Sequence, residues 1–333
     1  MTKSYVAFYP SKPYWAIAPL NVDDHQVQAN FTELMSEIVF GHQHEEFELA
    51  ICRDGRIMIS LNDDKRTLDP NFEEIVDRWG VYLSYLNAFY LVLDSSITQT
   101  SRVSLFSLHE VTNRDAFSTT VEGSEVKSEI ISTESIASTY QMARYLSSYR
   151  QGIPLSIDTR ISNRRTVSAD TLKLAVSNFE VLFAFPGLEK SIASISKSIS
   201  EYKIGNYDTS IVLAWFCIER LLSNKWAEYL LSFNQEHSES KRVNSERLKK
   251  LTDRDYTISI IINMLELGGI IPFSLYKNLE KIRVARNKIA HSDPKYKSSI
   301  EDSSLAIKIS LELVGRFYGL GLKPSLSLQV SGI

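Results

Sequence analysis

Residues 272–294 read PFSLYKNLEKIRVARNKIAHSDP. Leu275, Leu279, Ile282 and Ile289 recur at steps of four, three and seven, which is one face of an α-helix. Pro272 suits a helix start, and the helix must end before Asp293-Pro294, because proline disfavours the helical conformation in the residue before it. The position that should complete the apolar series is Arg286. A guanidinium on such a stripe is costly unless it is paired or opens onto a cleft or a subunit seam. Asn287 and His291, four apart, share a neighbouring face. His291 lies about 140° round from Arg286 at ~100° per residue, and the long arginine side chain can still bring its head beside the imidazole.

The surrounding sequence is helical. A helix over about 188–202 ends at Gly205-Asn206, and Asp208 can cap the next, which carries Ile211, Trp215, Ile218, Leu222 and Trp226 on one stripe. The polar stretch 234–255 reads as an exposed connection with one helical turn. A helix over about 256–267 stops at Gly268-Gly269, and a last one over about 299–318 has Leu305, Ile309, Leu313 and Phe317 in register. Together with the helix from Pro272 they make an antiparallel bundle.

Arg286-Asn287-Lys288-Ile289-Ala290-His291 resembles the signature of the HEPN superfamily: Arg, a polar residue that is often Asn, three more residues, then His. Its place late in a bundle helix, with one further helix after it, also fits. The run Ala214-Trp215-Phe216-Cys217-Ile218-Glu219-Arg220-Leu221-Leu222 is similar to the second bundle helix of that family, and the likeness, nearest to the ApeA-like branch, covers approximately 180–320. It implies an all-α antiparallel bundle of the HEPN type over 171–333, which with a mixed α+β domain over 1–170, read from the residue pattern alone, makes an α+β chain. It further implies a metal-independent endoribonuclease, a homodimer through the bundle, with RNA as substrate and no cofactor. Such two-part proteins often serve in phage defence or toxin–antitoxin control, so a regulatory ligand or protein is expected at the first domain. Some family members bind RNA, nucleotides or partners without cutting, and that alternative stays open.

The residue types suit the chemistry. Cleavage by the RNA 2′-hydroxyl needs one proton removed and one delivered, which imidazole can do at neutral pH. Arg286 would clamp the phosphate, and Asn287 would orient the imidazole or donate to a phosphate oxygen. Arg283, Lys288 and Lys295 are the candidate RNA-binding cations, with Lys281 and Lys297 close in sequence. Glu219, which interrupts an apolar helix, is the candidate to support Arg286 by pairing across the bundle. One histidine per chain cannot easily perform both transfers, so a two-fold dimer is the mechanistic expectation.

The first half mixes strands and helices and resembles no family. Phe47, Leu49 and Ile51, then Ile57, Ile59 and Leu61, alternate around Arg53-Asp54-Gly55, which marks a hairpin. A helix follows, with Asp69 as cap, Pro70 in the first position, and Phe72, Ile75, Trp79, Leu83, Leu86 and Leu93 on its stripe. A strand over 103–111 and a short helix over 134–149 are expected, and 114–135 reads as loop or edge strand.

The 333 residues suffice for two domains. Residues 176–333 hold 21 Lys and Arg against 17 Asp and Glu, a balance of +4; residues 1–175 hold 16 against 23, a balance of −7. The basic half permits nucleic-acid binding without demanding it. No apolar run approaches the ~20 residues of a membrane span, and the N-terminus lacks the apolar length of a signal peptide. Cys52 and Cys217 read as buried thiols, so a cytoplasmic home is the expectation. His42-Gln43-His44-Glu45-Glu46 reads as a solvated loop rather than a metal site, since no further Cys or His stands at ligand spacing. His25 and His109 read as structural. Arg160, Arg164 and Arg165 form a basic cluster that reads as a solvated linker, with an RNA backbone as the alternative.

Overall fold

The computed structural model of the chain describes residues 2–62, 71–131, 155–234, 241–292 and 295–328, without the side chains of Ser156 and Arg160. The fold is α+β: an antiparallel sheet with helices, then a packed helical region. Two compact units form, residues 1–193 with 323–333, and residues 194–322.

In the first unit the elements run β1 (Thr2–Phe8), β2 (Trp15–Ala16), α1 (His25–Ala29), α2 (Phe31–Ser36), β3 (Ile38–Gln43), β4 (Phe47–Cys52), β5 (Ile57–Leu61), α3 (Phe72–Ser101), β6 (Phe117–Glu122) and β7 (Glu125–Ile130). After a 3₁₀ turn at Leu155–Ile157 come α4 (Thr159–Ser162), β8 (Thr166–Val167) and α5 (Ala169–Glu180). Six strands make one sheet in the order β3-β4-β5-β1-β6-β7. Every neighbouring pair in it is antiparallel.

The expected hairpin is β4–β5, with Leu49 opposite Ile59. Of its turn residues only Gly55 takes left-handed backbone, at φ +87°. Its N–H donates to the Cys52 carbonyl at 2.9 Å, and a Cβ there would meet the Tyr14 ring at 2.5 Å, so only glycine fits. The capping of α3 differs from expectation. Asn71 and Glu74 form a reciprocal capping box, while Asp69 and Pro70 lie outside the described residues. The first turns of α3 stand clear of the core, Phe72 being 79% exposed, whereas Leu86–Ile97 is buried on all sides.

The strand expected over 103–111 is absent. At the segment's end a side chain meets the backbone: the Asn87 amide donates to the Val111 carbonyl at 2.7 Å and accepts from the Val111 N–H at 2.8 Å. Residues 114–135 instead supply β6 and the edge strand β7, and the helix expected over 134–149 lies outside the described residues. Helix α5 packs along α3 and against β3. Its Phe179 and the following Phe183 join Phe47, Tyr85 and Phe89 in one aromatic cluster, with Phe47 and Phe183 stacked at 4.7 Å. By packing, α5 therefore belongs with the first unit, although sequence reading starts the second domain at 171. The tail returns to this unit too: the Lys323 N–H donates to Ser95 Oγ at 2.7 Å and the Ser325 N–H to Asp94 Oδ2 at 3.0 Å.

Helix α6 (Leu188–Lys203) crosses the division between the units. The second unit contains α7 (Tyr207–Ser232), α8 (Ser245–Leu251), α9 (Ile258–Leu267), α10 (Phe273–Ala290) and α11 (Ile300–Tyr318). Helix α7 packs against α9, α10 and α11, and its expected stripe, Ile211, Trp215, Ile218, Leu222 and Trp226, is buried throughout. Hydroxyls stitch this core. Ser303 Oγ on α11 donates to Ser210 Oγ on α7 at 2.7 Å, and Ser198 Oγ on α6 donates to the Ser210 carbonyl at 2.8 Å. All three serines are buried. The small residues let α7 and α11 approach closely.

Replacing Ser210 by Leu should overpack this seam and destabilise the fold by about 2–3 kcal/mol, measured as a lower midpoint in urea with the slope unchanged; Ser210→Ala should cost about 1 kcal/mol. Cys52 and Cys217 are both buried, and burial pushes each thiol up to about 12. Native protein should therefore resist iodoacetamide at pH 8, and both thiols should alkylate in denaturant, as mass spectrometry would count.

Candidate functional site at the end of helix α10

Helix α10 opens after Gly269, whose φ of +70° turns the chain away from α9, with Pro272 at the cap position. Leu275, Leu279 and Ile282 are buried as expected, but the stripe continues through Ala285 rather than position 286. Arg286 is therefore half-buried at the edge of the core and not within it. Its Nη1 donates to the Asn287 side-chain oxygen at 3.2 Å.

His291 is the C-cap of α10 and is exposed. Its backbone N–H donates to the Asn287 carbonyl at 2.9 Å. Asn287 thus touches both partners, holding the guanidinium with its side chain and the histidine backbone with its main chain. Ser292 then takes left-handed backbone, φ +50°, and its N–H donates to the Ile289 carbonyl at 3.0 Å. This turns the chain sharply within one residue of the imidazole. The helix ends ahead of Asp293-Pro294 as expected; those two residues lie outside the description.

The other charged candidates have partners. Arg283 grips the Glu280 carboxylate with two nitrogens at 2.8–3.1 Å, and that hydrogen bonding raises its pKa further. Lys288 Nζ sits 5.5 Å over the Tyr296 ring, a cation–π contact, and Lys295 is engaged as well. Lys281 pairs with Asp302 at 3.0 Å, and the Tyr296 hydroxyl donates to the same carboxylate at 3.1 Å. Burial, then the Asp302 charge beside it, push the Tyr296 phenol well above its usual range. The segment after the motif is thereby tied to α10 and to the start of α11. Glu219 accepts from the Trp215 indole at 2.6 Å within its own helix. It makes no ion pair with Arg286 among the described residues.

The exposed face of α10 carries two large apolar side chains among its lysines. Phe273 and Val284 are 58% and 44% exposed. At ~100° per residue they fall within about 20° of His291, so the three form one stripe. Elsewhere, His42 bonds to Glu180 at 2.8 Å and His44 stacks on Phe47 at 5.1 Å. His109 stands edge-on to Tyr90 at 5.4 Å and 4.0 Å from Asp115. Among the described residues no three His, Cys, Asp or Glu side chains gather as metal ligands would. No family model, curated relative or solved structure matches the chain.

Left-handed backbone at a residue with a Cβ costs ~1–2 kcal/mol, and a β-branched side chain there is worse. Ser292→Val should lower the thermal midpoint, while Ser292→Gly should hold or raise it, as calorimetry would read.

Proposed function

We infer that the protein is a metal-independent endoribonuclease of the HEPN type, acting as a homodimer and leaving 2′,3′-cyclic phosphate and 5′-hydroxyl ends. One observation carries this reading: Asn287 links Arg286 and His291 at a solvent-facing helix end. In the reaction the 2′-oxygen attacks its adjacent phosphorus, and one imidazole accepts the 2′-proton. The bond from phosphorus to the 5′-oxygen breaks as a second imidazole delivers a proton to that oxygen. Arg286 binds the non-bridging oxygens and stabilises their growing charge. The second imidazole is the partner's His291. The exposed Val284, two helical turns before His291 and on the same side of α10, supports a two-fold contact along the helix, because it offers apolar area to a second copy. On this reading, Arg286, Asn287 and His291 are catalytic, and Lys288 and Lys295 are nearby cations for the RNA backbone.

A silent binding module is the second reading. What favours it is that Arg283, Lys281 and Lys288 already have protein partners, which leaves fewer charges for RNA.

The test is cleavage of varied RNAs in EDTA. The wild type should cut, with cyclic-phosphate ends seen by mass spectrometry. Arg286→Ala and His291→Ala should each lose about 10²–10⁴-fold and remain dimers by light scattering. Val284→Glu leaves the Arg and His in place and should lose dimer and cleavage together. No cutting by the wild type would favour the silent module, and equal cutting by all variants would remove the assignment from this motif.

A further inference from the structure

Within the first unit, three stretches distant in sequence meet around a cavity of about 300 Å³, whose polar lining is Lys12, Ser104, Thr159, Asn163, Arg164 and Arg165. Pairing of β2 with β8, which sets Trp15 beside Thr166, brings Lys12 alongside Arg164 and Arg165. The Trp15 N–H donates to the Arg165 carbonyl at 2.8 Å, and the Ile17 N–H to the Val167 carbonyl at 2.8 Å. Ser104 is brought in from the end of α3, because the Ser107 N–H donates to Ser11 Oγ at 3.0 Å.

The arrangement is built rather than incidental. Arg164 is only 8% exposed, its guanidinium 5.2 Å over the Trp15 ring and 3.9 Å from Met35 Sδ. Ile17, a β-branched residue, accepts a φ of +66° to close β2, with the Ala18 N–H bonded back to the Ala16 carbonyl at 2.8 Å. Such strain is stored where surrounding structure over-determines it, often at functional positions.

The charge is the decisive feature. Residues 1–175 carry −7 overall, yet three cations line this cavity and, among the described residues, no carboxylate does. Lys12 and Arg165 are exposed at its mouth and make no ion pair with a described residue. Around them stand the hydroxyl of Thr159 and the amide of Asn163, groups that donate to oxyanions, while the Ser104 hydroxyl donates to the Phe106 carbonyl at 3.3 Å.

We propose that this cavity binds the phosphate of a small phosphorylated ligand of the mononucleotide class, held between Lys12 and Arg165 over the buried Arg164. The volume is at the lower end of ordinary small-molecule sites, enough for a phosphate with one attached ring system and too small for a polymer. The site is independent of the α10 motif and stands whether or not that motif cuts RNA.

The test is calorimetric titration of the full chain with inorganic phosphate, AMP and ATP at constant ionic strength. A long single-stranded RNA carrying no terminal phosphate is the fourth probe. Saturable binding of AMP or ATP is expected. Lys12→Ala and Arg165→Ala should each weaken it about tenfold, and Lys12→Glu should weaken it more. Both positions are exposed, so circular dichroism should show unaltered folding, and Lys173→Ala, at an exposed position of α5, should bind as the wild type does. Inorganic phosphate binding weakly at the same residues would support the assignment. Binding of the RNA alone, no saturable binding of phosphate, AMP or ATP, or binding unchanged in both alanine variants would overturn it.

Discussion

The close packing of α7 against α11, closed by the hydrogen bond from Ser303 to Ser210, is the contact around which the second unit is built. A hydroxyl buried between helices must find a partner, since leaving one unmet costs roughly 1–3 kcal/mol. Here the donors and acceptors on α6, α7 and α11 satisfy one another with residues small enough for close approach. With α11 held against α7, α10 packs against both and turns Leu275, Leu279 and Ile282 inward. That face contains Ala285. Arg286 is one residue further round, so its head emerges at the rim of the core, where desolvation is partial. The placement of a charged side chain at the site thus follows from how α10 packs against α7 and α11.

Most of this bundle was legible because its helices are amphipathic and punctuated. Gly205-Asn206, Gly268-Gly269 and Asp293-Pro294 sit where the chain cannot continue a helix. What misled was the register of α10. The series Leu275, Leu279, Ile282 is continued equally well by position 285 or 286, and alanine carries so little apolar area that the eye passes to the arginine. The proposed pairing of Glu219 with Arg286 fell with that register, and the nearby Trp215 indole N–H takes the carboxylate instead. On α11 the buried face runs through Ser303, Ala306, Ile307 and Ser310 as much as through Ile309 and Leu313, so the expected leucine stripe was only half of it.

The first unit was harder to read for a different reason. Strand β1 lies in the middle of the sheet and is buried on both faces from Tyr5 onward, so it shows no alternation and offers no period to detect. The 103–111 segment has the opposite fault: its apolar residues read as a strand, but it joins no sheet, and at Val111 the Asn87 side chain meets the backbone N–H and carbonyl. Side chains that satisfy backbone across 24 residues leave no local signature. The same holds for the convergence of Lys12, Ser104 and Arg165, which depends on a two-residue parallel pairing. The arginine cluster was visible, and what brings Lys12 to it was not.

On the proposed reading, assembly and chemistry are one event. Alone, the end of α10 leaves Arg286 half-buried and His291 exposed, and there a cation's hold on phosphate is weakened by solvent and salt. Catalytic stabilisation of a five-coordinate phosphorus needs the donors fixed and water excluded before charge develops. A second copy laid along Phe273 and Val284 would meet both needs. It would cover apolar area that is otherwise exposed, lower the local dielectric around both arginines, and bring the second imidazole that one chain lacks. A dimer contact so placed makes the active site conditional on pairing. Any influence that shifts the monomer–dimer balance would therefore regulate cleavage without touching Arg286 or His291, in proportion to the fraction of chains paired.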